Sequence, residues 1–261
     1  MSKLIKRSVL ITGATSGIGK AMARTFAKRG FELILTGRRK ERLEAIQSKY
    51  ESKYATKVTV LAFDIRNKKA VQKALSSIKG QLKSLDILIN NAGLAAGKEK
   101  VQDAALDDWD QMIDTNVKGL LYVSRLVIPY MIQRGAGHII NVGSTAGKEV
   151  YSGGSVYCAT KFAVDALTKA MRLDLYDKNI RVSQIAPGAV EETEFSEVRF
   201  KGDKEKAAIY NDYNAVTPRD IAKIVLFIAT QPVHVNIQDL VVMGTQQASN
   251  TLFDRSGRRF D

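Results

Sequence analysis

Short apolar runs alternate with helically spaced ones from one end of the chain to the other. Strand-like runs, partly β-branched, fall at about 8–12, 32–36, 57–63, 85–89, 137–143, 179–186 and 238–242. Helical patterns lie between them at about 18–29, 39–53, 67–80, 104–133, 155–178 and 218–230. Such alternation predicts an α/β fold: a single-domain, doubly wound parallel sheet of about seven strands, with helices on both faces and right-handed crossovers. Gly30 follows the first helix as a stop signal, and Pro218 fits the first turn of the last long one. No repeat, low-complexity segment or linker interrupts the pattern, so residues 1–261 read as one domain. Residues 187–217 break the rhythm. This stretch, rich in Glu, Phe and Lys, predicts an insertion over the cleft beyond the carboxyl ends of the strands, serving as a substrate loop.

The first strand, Ser8-Val9-Leu10-Ile11, runs into Thr12-Gly13-Ala14-Thr15-Ser16-Gly17-Ile18-Gly19, and a helical stripe of Ala21, Met22, Phe26 and Ala27 follows. Strand, glycine-rich turn and helix offer bare backbone N–H groups and a helix N-terminus to a pyrophosphate, as in a Rossmann fold. The first glycine gap is wider than in the common dinucleotide signature. The alternative, an ordinary tight strand-to-helix turn, ranks below phosphate binding. The second strand, Glu32-Leu33-Ile34-Leu35-Thr36, ends in Gly37-Arg38-Arg39. An acidic residue there would bind ribose hydroxyls, whereas arginine accommodates a 2′-phosphate, so the pair favours NADP over NAD.

Near the other end, Tyr157 and Lys161 stand four residues apart, and Ser144 lies thirteen before the tyrosine. On a helix that spacing sets the phenol and the ammonium one turn apart on one face. A positive charge beside a phenol favours the phenolate and fits it for proton transfer. Ser144 closes the strand His138-Ile139-Ile140-Asn141-Val142-Gly143 and could donate a hydrogen bond to the same substrate oxygen. Alone, the pair would read as a solvated Tyr/Lys couple. The dinucleotide turn changes that reading to proton transfer at a carbonyl or alcohol.

Composition adds limits. The hydrophobic fraction is 45 % with no long apolar run, and Met1-Ser2-Lys3-Leu4-Ile5-Lys6-Arg7 carries no secretory core, so a cytoplasmic protein with no membrane partner is expected. A single cysteine, Cys158, suits a reducing compartment and reads as space-filling, although it adjoins Tyr157. Two histidines without a Cys/His cluster make a zinc site improbable, and no metal is expected. The net charge of +13 is spread among acidic residues, as in Lys40-Glu41-Arg42 and Lys204-Glu205-Lys206, without a basic block, so no specific nucleic-acid partner is expected.

These motifs, in this order, resemble the short-chain dehydrogenases/reductases over nearly the whole chain. The resemblance rests on Thr12 to Gly19, Asp64, Asn90-Asn91-Ala92-Gly93, Asn116, Ser144, Tyr157 with Lys161, and Pro187-Gly188. Ile113-Asp114-Thr115-Asn116, Gly143 to Gly147 and Thr193 to Phe200 are similar to one subgroup, the NADP-dependent 3-hydroxy acid (serine or L-allo-threonine) dehydrogenases.

The resemblance implies Tyr157 as acid/base, Lys161 lowering its pKa and holding the nicotinamide ribose, Ser144 orienting the substrate oxygen, and Asn116 positioning water for a proton relay. For the coenzyme it implies Gly13, Thr15, Ser16, Gly17, Ile18 and Gly19 at the diphosphate, and Arg38 and Arg39 at the 2′-phosphate. Asp64 and Ile65 would flank the adenine, with Asn91, Ala92, Gly93, Pro187, Gly188, Val190 and Thr193 completing the set beside Tyr157 and Lys161. The substrate is expected to be a small 3-hydroxy acid, bound by Ser144 and Tyr157 with Arg199 pairing its carboxylate, or the corresponding carbonyl. A reductase of acyl-carrier thioesters or dicarbonyls shares the same catalytic residues, and an NADP-sensing protein is the non-enzymatic alternative. A homo-oligomer, dimer or tetramer, is expected from the family.

Overall fold

The computed structural model describes residues 7–203, 205 and 212–258. Seven strands form one parallel sheet in the order β3-β2-β1-β4-β5-β6-β7. They are β1 (Ser8–Ile11), β2 (Glu32–Gly37), β3 (Val58–Ala62), β4 (Ile87–Asn90), β5 (Gly137–Val142), β6 (Ile180–Pro187) and β7 (Asp239–Val242). The side-chain period of two sends neighbouring residues to opposite faces, and both faces are apolar. Val9, Ile11, Leu33, Leu35, Ile87 and Ile89 enter one core with α1 (Gly17–Lys28), α2 (Lys40–Tyr54) and, near the C-terminus, the helix Pro218–Thr230. Leu10, Ile34, Leu88, Ile139 and Val182 enter the other, against α3 (Lys68–Ser76), α6 (Leu120–Arg134) and α7 (Ser155–Leu175). Near-continuous apolar strands are what a sheet covered on both faces requires.

Two expected helices are divided. The segment 67–80 ends at Ser76, and a short α4 (Lys79–Leu82) restarts beyond Ile78, whose backbone leaves the helical region to bury its side chain. The segment 104–133 becomes α5 (Leu106–Ile113), a π-helical turn over Asp114–Gly119, and α6. The insertion after β6 contains α8 (Phe195–Arg199) before the final helix, here α9 (Pro218–Thr230). Thr217 caps α9 through a reciprocal box with Asp220, with Pro218 in the first turn as the sequence indicates. Chain order reverses between β1 and β4, so a crevice opens beyond their carboxyl ends.

Candidate active site

Thr12 governs how the crevice is assembled. Its Oγ1 accepts from the backbone N–H groups of Asn91 and Ala92, both at 3.0 Å, so the glycine turn and the loop after β4 are fastened together. Asn91 answers with its amide, donating to Thr12 O at 2.8 Å and Gly13 O at 3.2 Å. Gly13 has φ +67, and a Cβ there would lie 2.9 Å from Ala92 Cα. At Gly19 a Cβ would fall on Gly13 O, so the helix start can approach the turn only without a side chain. Ser16 stands at the N-cap of α1 but makes no side-chain cap bond. Its hydroxyl accepts from Arg39 Nη2 at 2.9 Å instead, leaving the first-turn N–H groups without a capping side chain.

A cleft of about 550 Å³ runs from this turn to Tyr157. Of the coenzyme residues read from the sequence, Gly13, Thr15, Ser16, Gly17, Ile18 and Gly19 line one end, with Arg38, Arg39, Asp64 and Ile65. Asn91, Ala92 and Gly93 form the middle, and Pro187, Gly188, Val190 and Thr193 the opposing wall. The two arginines are placed differently. Arg38 stands exposed on the rim, whereas Arg39 donates to Thr15 Oγ1 (2.9 Å), Ser16 Oγ and Glu194 Oε2 (2.6 Å). Arg42 takes the other oxygen of Glu194 at 2.5 Å. These guanidinium groups hold the Glu194 carboxyl below its ordinary value against the opposing effect of its burial.

Ser144, Tyr157 and Lys161 meet at the far end of the cleft. Lys161 is buried, its Nζ donating to Val142 O at 3.0 Å and lying 5.9 Å from the Tyr157 ring centre. Burial pushes its ammonium down to about 8. Ser144 Oγ accepts from Ala146 N at 3.1 Å and reaches Pro187 O at 3.4 Å. The second contact is long enough to exchange for a substrate oxygen. Phe195 of α8 lies against the Tyr157 ring, centre to centre 5.7 Å.

Asn116 sits just behind the cleft wall, in the π-helical turn. Its Oδ1 accepts from Leu94 N (2.9 Å), and its Nδ2 donates to Leu94 O (2.8 Å) and Thr160 Oγ1 (3.0 Å). A Cβ at Gly93 would lie 3.2 Å from Asn116 Oδ1 and 3.6 Å from Lys161 Nζ, so the loop packs close to both. The side chain thus works as a strut between the loop after β4 and α7, and the π-turn is the backbone adjustment that brings it there.

Arg199 ends α8 and is only 7 % exposed. Its Nε donates to Gly97 O and Nη1 to Tyr151 Oη, each at 3.0 Å, and its Cζ lies 5.8 Å from the Tyr157 ring centre. The remaining Nη2 is buried with no hydrogen-bond partner among the described residues. Sequence reasoning missed Thr12, Glu194 and Phe195. Thr12 belongs to the glycine turn and the other two to the Thr193–Phe200 stretch, but Glu194 and Phe195 act across the cleft, where no local spacing announces them. Cys158 is buried beside Ala146 and Leu94, its thiol pushed up by burial, in keeping with a space-filling role.

The match to a short chain dehydrogenase family model extends over residues 7–204. The chain belongs to the short-chain dehydrogenase family. Within that family it is 46 % identical over 241 residues to the NADP-dependent 3-hydroxy acid dehydrogenase YdfG of Salmonella typhi, covering 92 % of this chain and 96 % of the relative. It is 45 % identical over 249 residues to the NADP-dependent 3-hydroxy acid dehydrogenase of Schizosaccharomyces pombe, covering 95 % and 96 %. Among solved structures, the closed form of serine dehydrogenase complexed with NADP+ superimposes with a TM-score of 0.88 at 44 % identity, covering 94 % of this chain and 98 % of that one. Among the described residues no helix is long and apolar enough to cross a membrane.

Proposed function

We propose that this short-chain dehydrogenase is an NADP-dependent oxidoreductase that oxidises the 3-hydroxyl of small 3-hydroxy acids to the semialdehyde or 3-oxo acid, or runs the reverse reduction. The observation that carries the reading is the convergence of Ser144, Tyr157 and Lys161 on one cleft with the bare glycine turn and Arg38. The cleft fits the coenzyme: Gly13 and Gly19 leave no room for side chains, and the start of α1 has no capping side chain. When bound, NADP supplies the hydride acceptor, or NADPH the donor. Gly13 to Gly19 would hold its diphosphate, Arg38 and Arg39 its 2′-phosphate, and Asp64 and Ile65 its adenine. Asn91, Ala92, Gly93, Pro187, Gly188, Val190 and Thr193 would flank the remainder.

Tyr157 takes the hydroxyl proton during oxidation and returns it during reduction. Lys161 favours the phenolate by its charge, and Ser144 donates to the substrate oxygen. General acid–base help of this kind is worth about 10²–10⁴-fold. Asn116 contributes as the strut that keeps Gly93, Leu94 and α7 in register. Arg199 pairs the substrate carboxylate through its spare Nη2, which is too buried to be satisfied by bulk water. Within the 187–217 stretch, Pro187, Gly188, Val190, Phe195 and Val198 form the substrate wall. The enzyme is a homo-oligomer, joined through exposed apolar residues such as Leu121 on α6 and Phe162 and Leu173 on α7. Sedimentation of Leu173→Glu at working concentration should show a smaller species if that face is used.

The test is coenzyme reduction with L-serine, L-allo-threonine, 3-hydroxyisobutyrate and 3-hydroxypropionate, NADP against NAD, with Tyr157→Phe as control. Oxidation selective for NADP and lost in the control is expected. Reduction of thioesters or dicarbonyls without oxidation of any hydroxy acid would overturn the substrate class while leaving the catalytic residues in place.

A further inference from the structure

The last described segment folds back over the site. Gln247 and Phe253 form an antiparallel bridge, with Ala248 N donating to Leu252 O at 3.0 Å and Asp254 N to Gln246 O at 2.8 Å, so residues 246–254 make a tight turn. Gln246 of this turn is buried and accepts from Asn214 N at 2.8 Å, while Gln247 and Asn250 each engage a loop that borders Ser144. Gln247, buried, accepts from Ala189 N at 2.9 Å, just beyond Pro187-Gly188, while its amide donates back to Ser249 O at 3.1 Å. Asn250 accepts from Thr145 Oγ1 at 2.5 Å and donates to Thr145 O at 3.0 Å and Glu149 O at 2.7 Å. Its own N–H goes to Glu149 Oε2 at 3.2 Å.

The geometry points to Asn250 as a positioning residue for Ser144, with the C-terminal turn as the clamp that carries it. This inference rests on the catalytic reading of Ser144 given above. Ser144 is in extended backbone (φ −171, ψ 159), joining the end of β5 to the 3-10 turn Thr145–Gly147. On the strand side it is held by Gly143 N donating to Ile185 O at 2.8 Å. On the other side the 145–149 loop has its Thr145 hydroxyl, Thr145 carbonyl and Glu149 carbonyl all met by Asn250. The hydroxyl of Ser144 is oriented by the same loop: because Ala146 N already occupies one lone pair, its proton swings toward Pro187 O or a substrate oxygen. A shift of the 145–149 loop therefore moves Ala146 N and redirects the donor, while the glycine turn and the arginines lie outside its reach. Gln247 secures the opposite border at Ala189, so the Ser144–Pro187 gap is set from both sides by one turn.

A double-mutant cycle tests this. Asn250→Ala should lower kcat for hydroxy acid oxidation about tenfold, since misplacement of an orienting group by about 1 Å can cost up to 10²-fold. NADP affinity, read by fluorescence titration, should stay within about twofold. In a Ser144→Ala background the further loss on adding Asn250→Ala should fall below about twofold, because the clamp acts through the missing hydroxyl. Thr145→Ser, which keeps the hydroxyl bonded to Asn250, should retain activity where Thr145→Val does not. Losses that multiply in the two backgrounds, or a matching loss of NADP affinity, would reduce the turn to general structural support. Ser144→Ala that retains full activity would overturn the catalytic reading itself, an outcome separate from additivity. If Asn250→Ala fails to fold, the Thr145→Val cycle with Ser144→Ala makes the same decision.

Discussion

Lys161 is charged or neutral according to where the pH stands relative to about 8, the value to which burial pushes its ammonium. Below that pH the cation is present and favours the Tyr157 phenolate; above it, in the coenzyme-free protein, this help is withdrawn. The pH dependence of kcat/KM for NADP reports groups of the free enzyme, so it should show an inflection near 8 in the wild type. Lys161→Arg, always charged, should lose that inflection whatever its absolute rate. At Arg199 the prediction concerns binding: Arg199→Ala should raise KM for hydroxy acids about tenfold or more, in line with a charge-assisted hydrogen bond of about 1.5–3 kcal/mol. Unchanged KM would end its role as carboxylate partner. Both roles were proposed from the sequence, for different reasons. Lys161 belongs to a spacing that a helix converts into a shared face, whereas Arg199 was chosen because a substrate carboxylate needs a partner, and the burial on which that proposed role rests is a property of α8 folding against Gly97 and Tyr151.

At the scale of elements, the strands and their glycine turn were readable because period and turn chemistry are local. The π-turn was not, since it follows from Asn116 having to reach Leu94 and Thr160 on other segments. The same holds for the loop after β6, whose Glu194 joins Arg39 and Arg42 while the next residue, Phe195, rests on Tyr157. That loop therefore links the arginine end of the cleft to the tyrosine end. Arg42→Ala removes one of the two ion pairs without touching the cleft lining. These groups are partly exposed, so an effect of up to about 1 kcal/mol is expected, which appears as a rise in hydroxy acid KM of no more than about fivefold. A change in kcat alone would argue against this linkage. Gly19→Ala is the sharper test of α1: with a methyl group set against Gly13 O, NADP binding measured by titration should be lost.

For the molecule as a whole, acid stability is tied to His138. It is buried on β5, its Nε2 2.8 Å from Ser183 Oγ, and burial together with Arg181 and Arg7 pushes its pKa down to about 3. The unfolded chain takes up this proton near 6.5 while the folded protein refuses it until about 3, so between those values the unfolded state binds more protons. Stability must fall as the pH drops through that window. From pH 6.5 to 5 the loss is about 1.6 kcal/mol, the full slope of about 1.4 kcal/mol per unit being reached only well below 6.5, seen as a lowered urea midpoint. His138→Gln should flatten this part of the profile, and parallel slopes in the two proteins would refute the assignment.

The strand order has a consequence for synthesis. β1 lies between β2 and β4, so the early chain can complete the β3-β2-β1 half of the sheet while the far edge of β1 stays open. Nothing closes it until Ile87–Asn90 arrives, a delay on the order of ten seconds at about 5–20 residues per second. After that every strand adds in chain order to a rim already present, β5 on β4, β6 on β5, β7 on β6. On a ribosome the nascent protein thus exposes a succession of apolar edges, first β1 with Val9, Leu10 and Ile11 and then β4 until Gly137–Val142 arrives, each a template for any neighbour. Pausing translation before β4 should make the chain aggregate through β1, and pausing it between β4 and β5 should do so through the edge of β4.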